Sequence, residues 1–146
     1  VLKHIATLQG ENRIAALNEL IPYAQTIGLE TVYDEHGLVT VLRRRESNMG
    51  NTQLPAIHGG AVGALLEHAA MLHLISETQS LVVPKIINFS VDYLRPCLMN
   101  DTYARGLVIR QGRRVANVRV EAWQVSPDRP VAAAHAHFLH SITYDQ

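Results

Sequence analysis

The sequence predicts an α+β domain in which one antiparallel sheet curls round a single long central helix. Three observations predict it. Residues 59–76 read as a helix in which Ala61, Val62, Ala64, Leu65, Leu66, Ala69, Ala70, Met71, Leu72, Leu74 and Ile75 cover nearly the whole circumference. A helix that is apolar all round is buried all round. Strand-like segments follow it near 82–95, 101–110, 114–125 and 131–143. Within the third, Ala116, Val118, Val120 and Ala122 alternate with Asn117, Arg119, Glu121 and Trp123. That is the period of a half-buried antiparallel strand, and its small inner residues leave room for a helix to lie close.

The other elements follow in chain order. Residues 12–27 read as an amphipathic helix, with Ile14, Leu17, Ile21 and Ala24 on one face. Gly28 suits its C-terminal cap, and Pro22 implies a kink or an early stop near Ile21. Residues 29–34 and 38–45 read as a hairpin turned at Asp34-Glu35-His36-Gly37, ending in Arg43-Arg44-Arg45. The polar stretch 46–56 reads as a loop. Gly112 separates the second and third late strands, and Ser126-Pro127-Asp128-Arg129-Pro130 the third and fourth.

With 146 residues, 47% hydrophobic and 18% charged, the chain has the size and composition of one globular domain, spanning 1–146. Thirteen Lys plus Arg balance 13 Asp plus Glu, and a neutral chain lacks the excess positive charge that general nucleic-acid binding needs. No apolar run reaches the roughly 18 residues of a membrane span. Val1-Leu2-Lys3-His4 shows no basic segment leading into an apolar one, so no signal peptide is expected; the missing Met is consistent with trimming. The single cysteine, Cys97, forms no intrachain disulfide and fits a reducing cytoplasm.

The segment richest in chemistry runs from Leu54 through His58-Gly59-Gly60 to Glu67. Two glycines stand where loop becomes helix. The first N–H groups of a helix have no intrahelical partner and carry partial positive charge. Without Cβ atoms, Gly59 and Gly60 would let a substrate carbonyl come close to them, which makes an oxyanion site. Glu67 lies seven residues past Gly60 in an apolar stretch, where burial should raise its pKa and make it a better base. Two turns separate the pair by about 11 Å, so a symmetric dimer is the natural way to join them.

Those residues, together with Leu-Pro-Ala-Ile-His-Gly-Gly at 54–60, Ala-Leu-Leu-Glu at 64–67, Ser-Val-Asp-Tyr-Leu-Arg-Pro at 90–96, Gly-Arg-Arg-Val-Ala at 112–116 and Val-Ala-Ala-Ala-His-Ala at 131–136, resemble the hotdog-fold acyl-CoA thioesterases of the phenylacetic-acid-pathway group, within the 4-hydroxybenzoyl-CoA thioesterase superfamily. The resemblance spans about 25–143. It implies hydrolysis of an acyl-CoA or aryl-CoA thioester, with no metal and no cofactor, by a homodimer paired further into a homotetramer. It implies that Gly59, helped by Gly60, polarises the thioester carbonyl. Glu67 of the partner subunit would activate water or attack as a nucleophile, and His58 would fix the loop and contact the thioester. An amide before His58 belongs to the same pocket; Asn51 is preferred to Gln53, since the usual position holds Thr52. The Ser or Thr that some relatives use to hold water corresponds to Ile86, leaving that role unfilled. Arg95, Arg110, Arg113 and Arg114 would grip the phosphates of CoA. A non-catalytic hotdog protein that binds an acyl or aromatic ligand is the alternative.

Other features carry less. His135 and His137 share a strand face opposite His140, with no Cys pair or nearby carboxylate to complete a metal site. His68 and His73 do not share a helix face. Arg43, Arg44 and Arg45 read as a solvated strand end.

Overall fold

The structure, a computed structural model, describes residues 2–80 and 82–140. Three short helices lead the chain: α1 (Leu2–Thr7), α2 (Gly10–Glu19) and α3 (Pro22–Ile27). Strands β1 (Leu29–Asp34) and β2 (Gly37–Leu42) form a hairpin, followed by a short 3₁₀ turn and a small ribbon of β3 (Met49–Asn51) and β4 (Ala56–Ile57). The long helix α4 (Gly59–Thr78) comes next, then β5 (Lys85–Tyr93), β6 (Thr102–Gln111), β7 (Val115–Trp123) and β8 (Ala132–Leu139). The large strands make one six-stranded antiparallel sheet in the order β1-β2-β6-β7-β8-β5.

The sheet lays its small-residue face on α4. Ala104, Ala116, Ala122, Ala132, Ala134 and Ala136 are buried there with Val118, Val120 and Phe138. At Gly106 the backbone comes so near the helix that an added Cβ would lie 3.0 Å from Cβ of His73. Small residues let α4 approach, and Leu65, Leu66, Leu72 and Leu74 fill the space between. The register slips between Ile86 and Asn88 and between Val108 and Arg110, which are bulges that bend their strands and help the sheet curve.

The elements depart from the sequence reading in four places. The helix expected over 12–27 is two helices, because Ile21 is extended (φ −94°, ψ 106°) and Pro22 opens α3 at its first turn. The loop expected over 46–56 carries β3 and β4. Helix α4 is not enclosed all round: the sheet covers one side and α2 packs on part of the other, leaving Gly60, Glu67 and Glu77 exposed. The last strand, expected to reach 143, ends at Leu139, and residues 141–146 lie outside the described part. Gly28 does cap α3 in the left-handed region (φ 86°), where a side chain is strained.

Two polar anchors fix α2 to α4. The buried Arg13 donates to the side-chain and backbone oxygens of Gln79 and to the carbonyl of Ser80, satisfying the end of α4. Asn18 donates Nδ2–H to the carbonyl of Leu29 at 3.0 Å, so its Oδ1 accepts from Nε2–H of His68 at 2.7 Å. Burial lowers the pKa of His68 to about 4. The unfolded chain takes up this proton near 6.5 and the folded chain only near 4. Stability is therefore complete above pH 6.5 and falls as pH drops towards 4, by on the order of 3 kcal/mol in all. Urea midpoints measured between pH 7 and pH 4.5 should decline accordingly, and the decline should be shallower in His68→Gln.

Candidate functional site

The N-terminus of α4 is held on three sides. His58 precedes the helix in an extended conformation (φ −54°, ψ 132°) and its Nδ1 accepts from Gly60 N–H at 2.8 Å. That contact leaves Nε2 to carry the ring N–H. The His58 N–H donates to the carbonyl of Asn48, whose buried side chain donates in turn to the carbonyl of Ile27. Behind His58, β3 comes very close: a Cβ on Gly50 would lie 2.5 Å from Cα of His58. In front, Tyr93 donates its hydroxyl proton to the carbonyl of Gly59 at 2.8 Å.

The donors of this first turn can be counted. Ala61 and Val62 N–H groups both donate to the carbonyl of His58, and Gly60 N–H is taken by His58 Nδ1. Gly59 N–H is then the one donor of the turn without an acceptor among the described residues. This narrows the expectation that Gly60 shares in polarising a carbonyl, since its N–H is engaged. A cleft of about 360 Å³ opens beside Gly59, lined by Ile57, Val62, Tyr93, Arg95 and the buried Cys97 among others. Burial raises the Cys97 thiol above its usual pKa, and its sulfur sits 3.4 Å from both Thr102 Oγ1 and Gln124 Nε2. A protonated, hydrogen-bonded thiol is a wall, not a nucleophile.

Glu67 stands eight residues on from Gly59, about 12 Å along the axis. It is exposed in the single chain, where the sequence had suggested burial, because no sheet crosses that side of α4. Its apolar neighbours still lift the carboxyl above the ordinary carboxylate range. It lines a smaller pocket with Ala64, His68 and Met71, roofed by residues of α3 and its flanks. Glu67 and Gly59 therefore open into different pockets of one chain.

The remaining candidates separate. Asn51 Oδ1 accepts from the N–H groups of Gln53 and Leu54, so its carbonyl shapes the loop, and Gln53 is exposed beside it. The four arginines divide between the two ends of the sheet. Arg95 lines the Gly59 cleft and donates to the carbonyl of Pro130. Arg110, Arg113 and Arg114 line a cleft of about 580 Å³ at the β6–β7 hairpin with Asn117 and His137. Val115 is level with Leu139 and Leu139 with Lys85, so the hairpin lies at the end of β5 away from Tyr93, about 27 Å distant along the strand. Asn117 Oδ1 and His137 Nδ1 are buried there without a partner among the described residues. The other arginine run is structural: Arg43 pairs with Glu30 and Asp101, Arg44 with Glu46, and Arg45 donates to the carbonyls of Gln25 and Thr26. His140 is buried and contacts the carbonyl of Gly112, while His135 and His137 stand on the other face. Tyr93 and Gly50, which hold the first turn of α4, are positions that sequence reasoning missed. Tyr93 lay within the Ser-Val-Asp-Tyr-Leu-Arg-Pro stretch, but its contact with Gly59 spans 34 positions and has no local signal.

Residues 46–139 match the family described as acyl-CoA thioesterase N-terminal domain. The chain is 28% identical to the medium/long-chain acyl-CoA thioesterase YigI of Salmonella typhimurium, over 80% of this chain and 86% of that one. A Chromobacterium violaceum protein of known crystal structure is 37% identical, with a TM-score of 0.77 over 97% of this chain and 99% of that one. A variant of the phenylacetic acid degradation protein PaaI from Thermus thermophilus shares the fold, with 23% identity and a TM-score of 0.67 over 82% of this chain and 99% of that one.

Gly50→Ala should test how firmly the strand ribbon holds His58. The added methyl meets backbone, which cannot swing away, so the variant should lose about 1–3 kcal/mol in urea unfolding. A loss within 0.5 kcal/mol, an ordinary surface effect, would show that the contact is loose.

Proposed function

Because the chain belongs to the family of acyl-CoA thioesterase N-terminal domains, and is a thioester hydrolase, we propose that it hydrolyses acyl-CoA or aryl-CoA thioesters at a site shared by two subunits. The observation that carries this reading is the N–H of Gly59, the one donor of the first turn left free among the described residues, at the positive end of a 20-residue helix, with a carboxylate two turns on that has no partner among those residues. Gly59 N–H donates to the thioester carbonyl oxygen and holds the charge that grows on it. Glu67 of the partner subunit takes a proton from water as the water oxygen bonds to the carbonyl carbon. The C–S bond then breaks, the electron pair leaves with sulfur, and Glu67 returns its proton to the thiolate. His58 keeps Gly60 N–H occupied and the loop in place, and Asn51 lends its side-chain Nδ2 donor to the same pocket in the paired subunits.

The sheet topology supports the pairing. Strand β5 is an edge strand of nine residues, with Ile87 53% and Tyr93 58% exposed, and its outer backbone groups suit pairing with a second copy. Two-fold antiparallel pairing reverses the partner, so its Lys85 end meets this chain's Tyr93 end. The partner's Glu67 and its Arg110, Arg113 and Arg114 hairpin then come to the side where Gly59 and Arg95 lie. The three hairpin guanidiniums, which make no ion pair among the described residues, are placed to hold the CoA phosphates. A further pairing of dimers into a homotetramer is part of the same proposal. No helix among the described residues is long and apolar enough to cross a membrane.

Two variants test the shared site. Glu67→Ala should lower kcat about 10²–10⁴-fold with CoA-thioester binding nearly intact. Gly59→Pro removes the free N–H, suits the first helical position, and is compatible with the extended His58 before it. Mixing and reannealing the two should restore about a quarter of parental activity, since half of the dimers are mixed and each carries one complete site. No recovery would place the site within one chain, and full activity of Glu67→Ala would remove its role as base.

Arg113→Ala with Arg114→Ala should raise KM for a CoA ester and flatten its salt dependence, while kcat for a thioester lacking the nucleotide stays put. Equal losses on both substrates would assign these arginines to the fold or the subunit contact.

A further inference from the structure

The pocket beside Glu67 has no role in the reaction as described above. It is about 150 Å³ and is lined by Ile21, Tyr23, Ala24, Leu29, Ala64 and Met71, with Glu67 and His68 on its α4 side. Ala64, Glu67, His68 and Met71 follow the i, i+3, i+4, i+7 spacing, so one face of α4 makes the floor. The roof comes from α3 and the residues beside it, all before residue 46 and so outside the segment that matches the family. The walls are apolar. The other ionisable group that α4 brings to the pocket, His68, is kept neutral at neutral pH by burial and is held by Asn18. Tyr23, 57% exposed, stands at the outer edge.

We propose that this pocket receives the acyl tail of the thioester and that Ile21, Tyr23 and Met71 set the length of tail it accepts. The inference rests on the thioesterase reading above and adds the specificity of the same site. A tail lying in the pocket brings the carbonyl that follows it to Glu67, with the partner's Gly59 on the other side. A cavity of about 150 Å³ with apolar walls is the size that takes up one benzene ring, so the tail enclosed is about six carbons, as a chain or a ring. Longer tails must displace Tyr23 or run out into water. The N-terminal helices thereby act as a size filter added to a common hydrolytic core.

The experiment compares kcat/KM for acetyl-, hexanoyl- and decanoyl-CoA in the parent, in Tyr23→Ala and in Ala64→Leu. Tyr23 is exposed and Ala64 only half-buried, so neither change disrupts the core. The parent should favour hexanoyl over both others. Tyr23→Ala opens the outer edge and should raise the decanoyl-to-hexanoyl ratio about tenfold; Ala64→Leu fills the floor and should lower the hexanoyl-to-acetyl ratio by about as much. Ratios within twofold of the parent in both variants, with hydrolysis continuing, would overturn the pocket assignment and leave the thioesterase reading standing. If the parent hydrolyses none of the three, the reading of the reaction fails instead. Binding of S-hexyl- and S-decyl-CoA thioethers then decides the pocket on its own: a preference for hexyl that Tyr23→Ala abolishes supports it, and equal binding in both proteins overturns it.

Discussion

Close approach of α4 to the sheet is the constraint on which the rest depends. A helix lies this near only if the facing strands carry little beyond Cβ, and the row of alanines on β6, β7 and β8 meets that requirement, with Gly106 where even Cβ would crowd His73. The leucines of α4 are then fully buried, and the apolar area they bury is the main source of stability. The same contact fixes the position of the helix along the strands. Its first turn is set against Tyr93 at one end of β5, and the β6–β7 hairpin is left at the other.

The helix start shows how few donors a functional site needs. Four N–H groups open any helix without helical acceptors, and most proteins spend them on caps or water. Here the carbonyl of Asn48 takes the His58 N–H, and His58 takes two more, Ala61 with its carbonyl and Gly60 with its ring, which leaves Gly59 alone among the described residues. The remaining donor is rigid because the residues round it are rigid: Gly50 lies against the His58 backbone and Tyr93 holds the Gly59 carbonyl. A donor fixed before the substrate arrives needs no reorganisation as charge develops, which is why helix termini serve this purpose well.

Polar groups elsewhere divide into those that close the fold and those left uncommitted. Arg13, Asn18, Asn48 and the Arg43–Asp101 pair link segments far apart in sequence, and each is matched to an acceptor or an opposite charge. Glu67, Arg110, Arg113 and Arg114 have no such partner among the described residues and lie round open clefts. Partnered charges as exposed as these add little stability, and unpartnered ones add none, so their value lies in what they can bind.

Much of the fold was legible in the sequence because its signals are local. The all-round apolar pattern located α4, period-two alternation identified the inner face of β7, and Gly28 and Gly112 marked ends and turns that only a residue without Cβ makes easily. Pro22 signalled the break between α2 and α3, though the helical periodicity ran through it. The candidate site was legible as a list: His58, Gly59, Gly60 and Glu67 stand at recognisable spacing. What the list did not contain was which N–H remains free, that Tyr93 and Gly50 hold that turn, that Glu67 faces outward, and that one arginine lies near Gly59 and three lie far from it. Each of these depends on contacts between segments tens of residues apart and on which strand becomes the sheet edge. Periodicity and caps are written in neighbouring residues, whereas strand order, register and the direction in which a side chain meets another element arise only when the sheet closes on the helix.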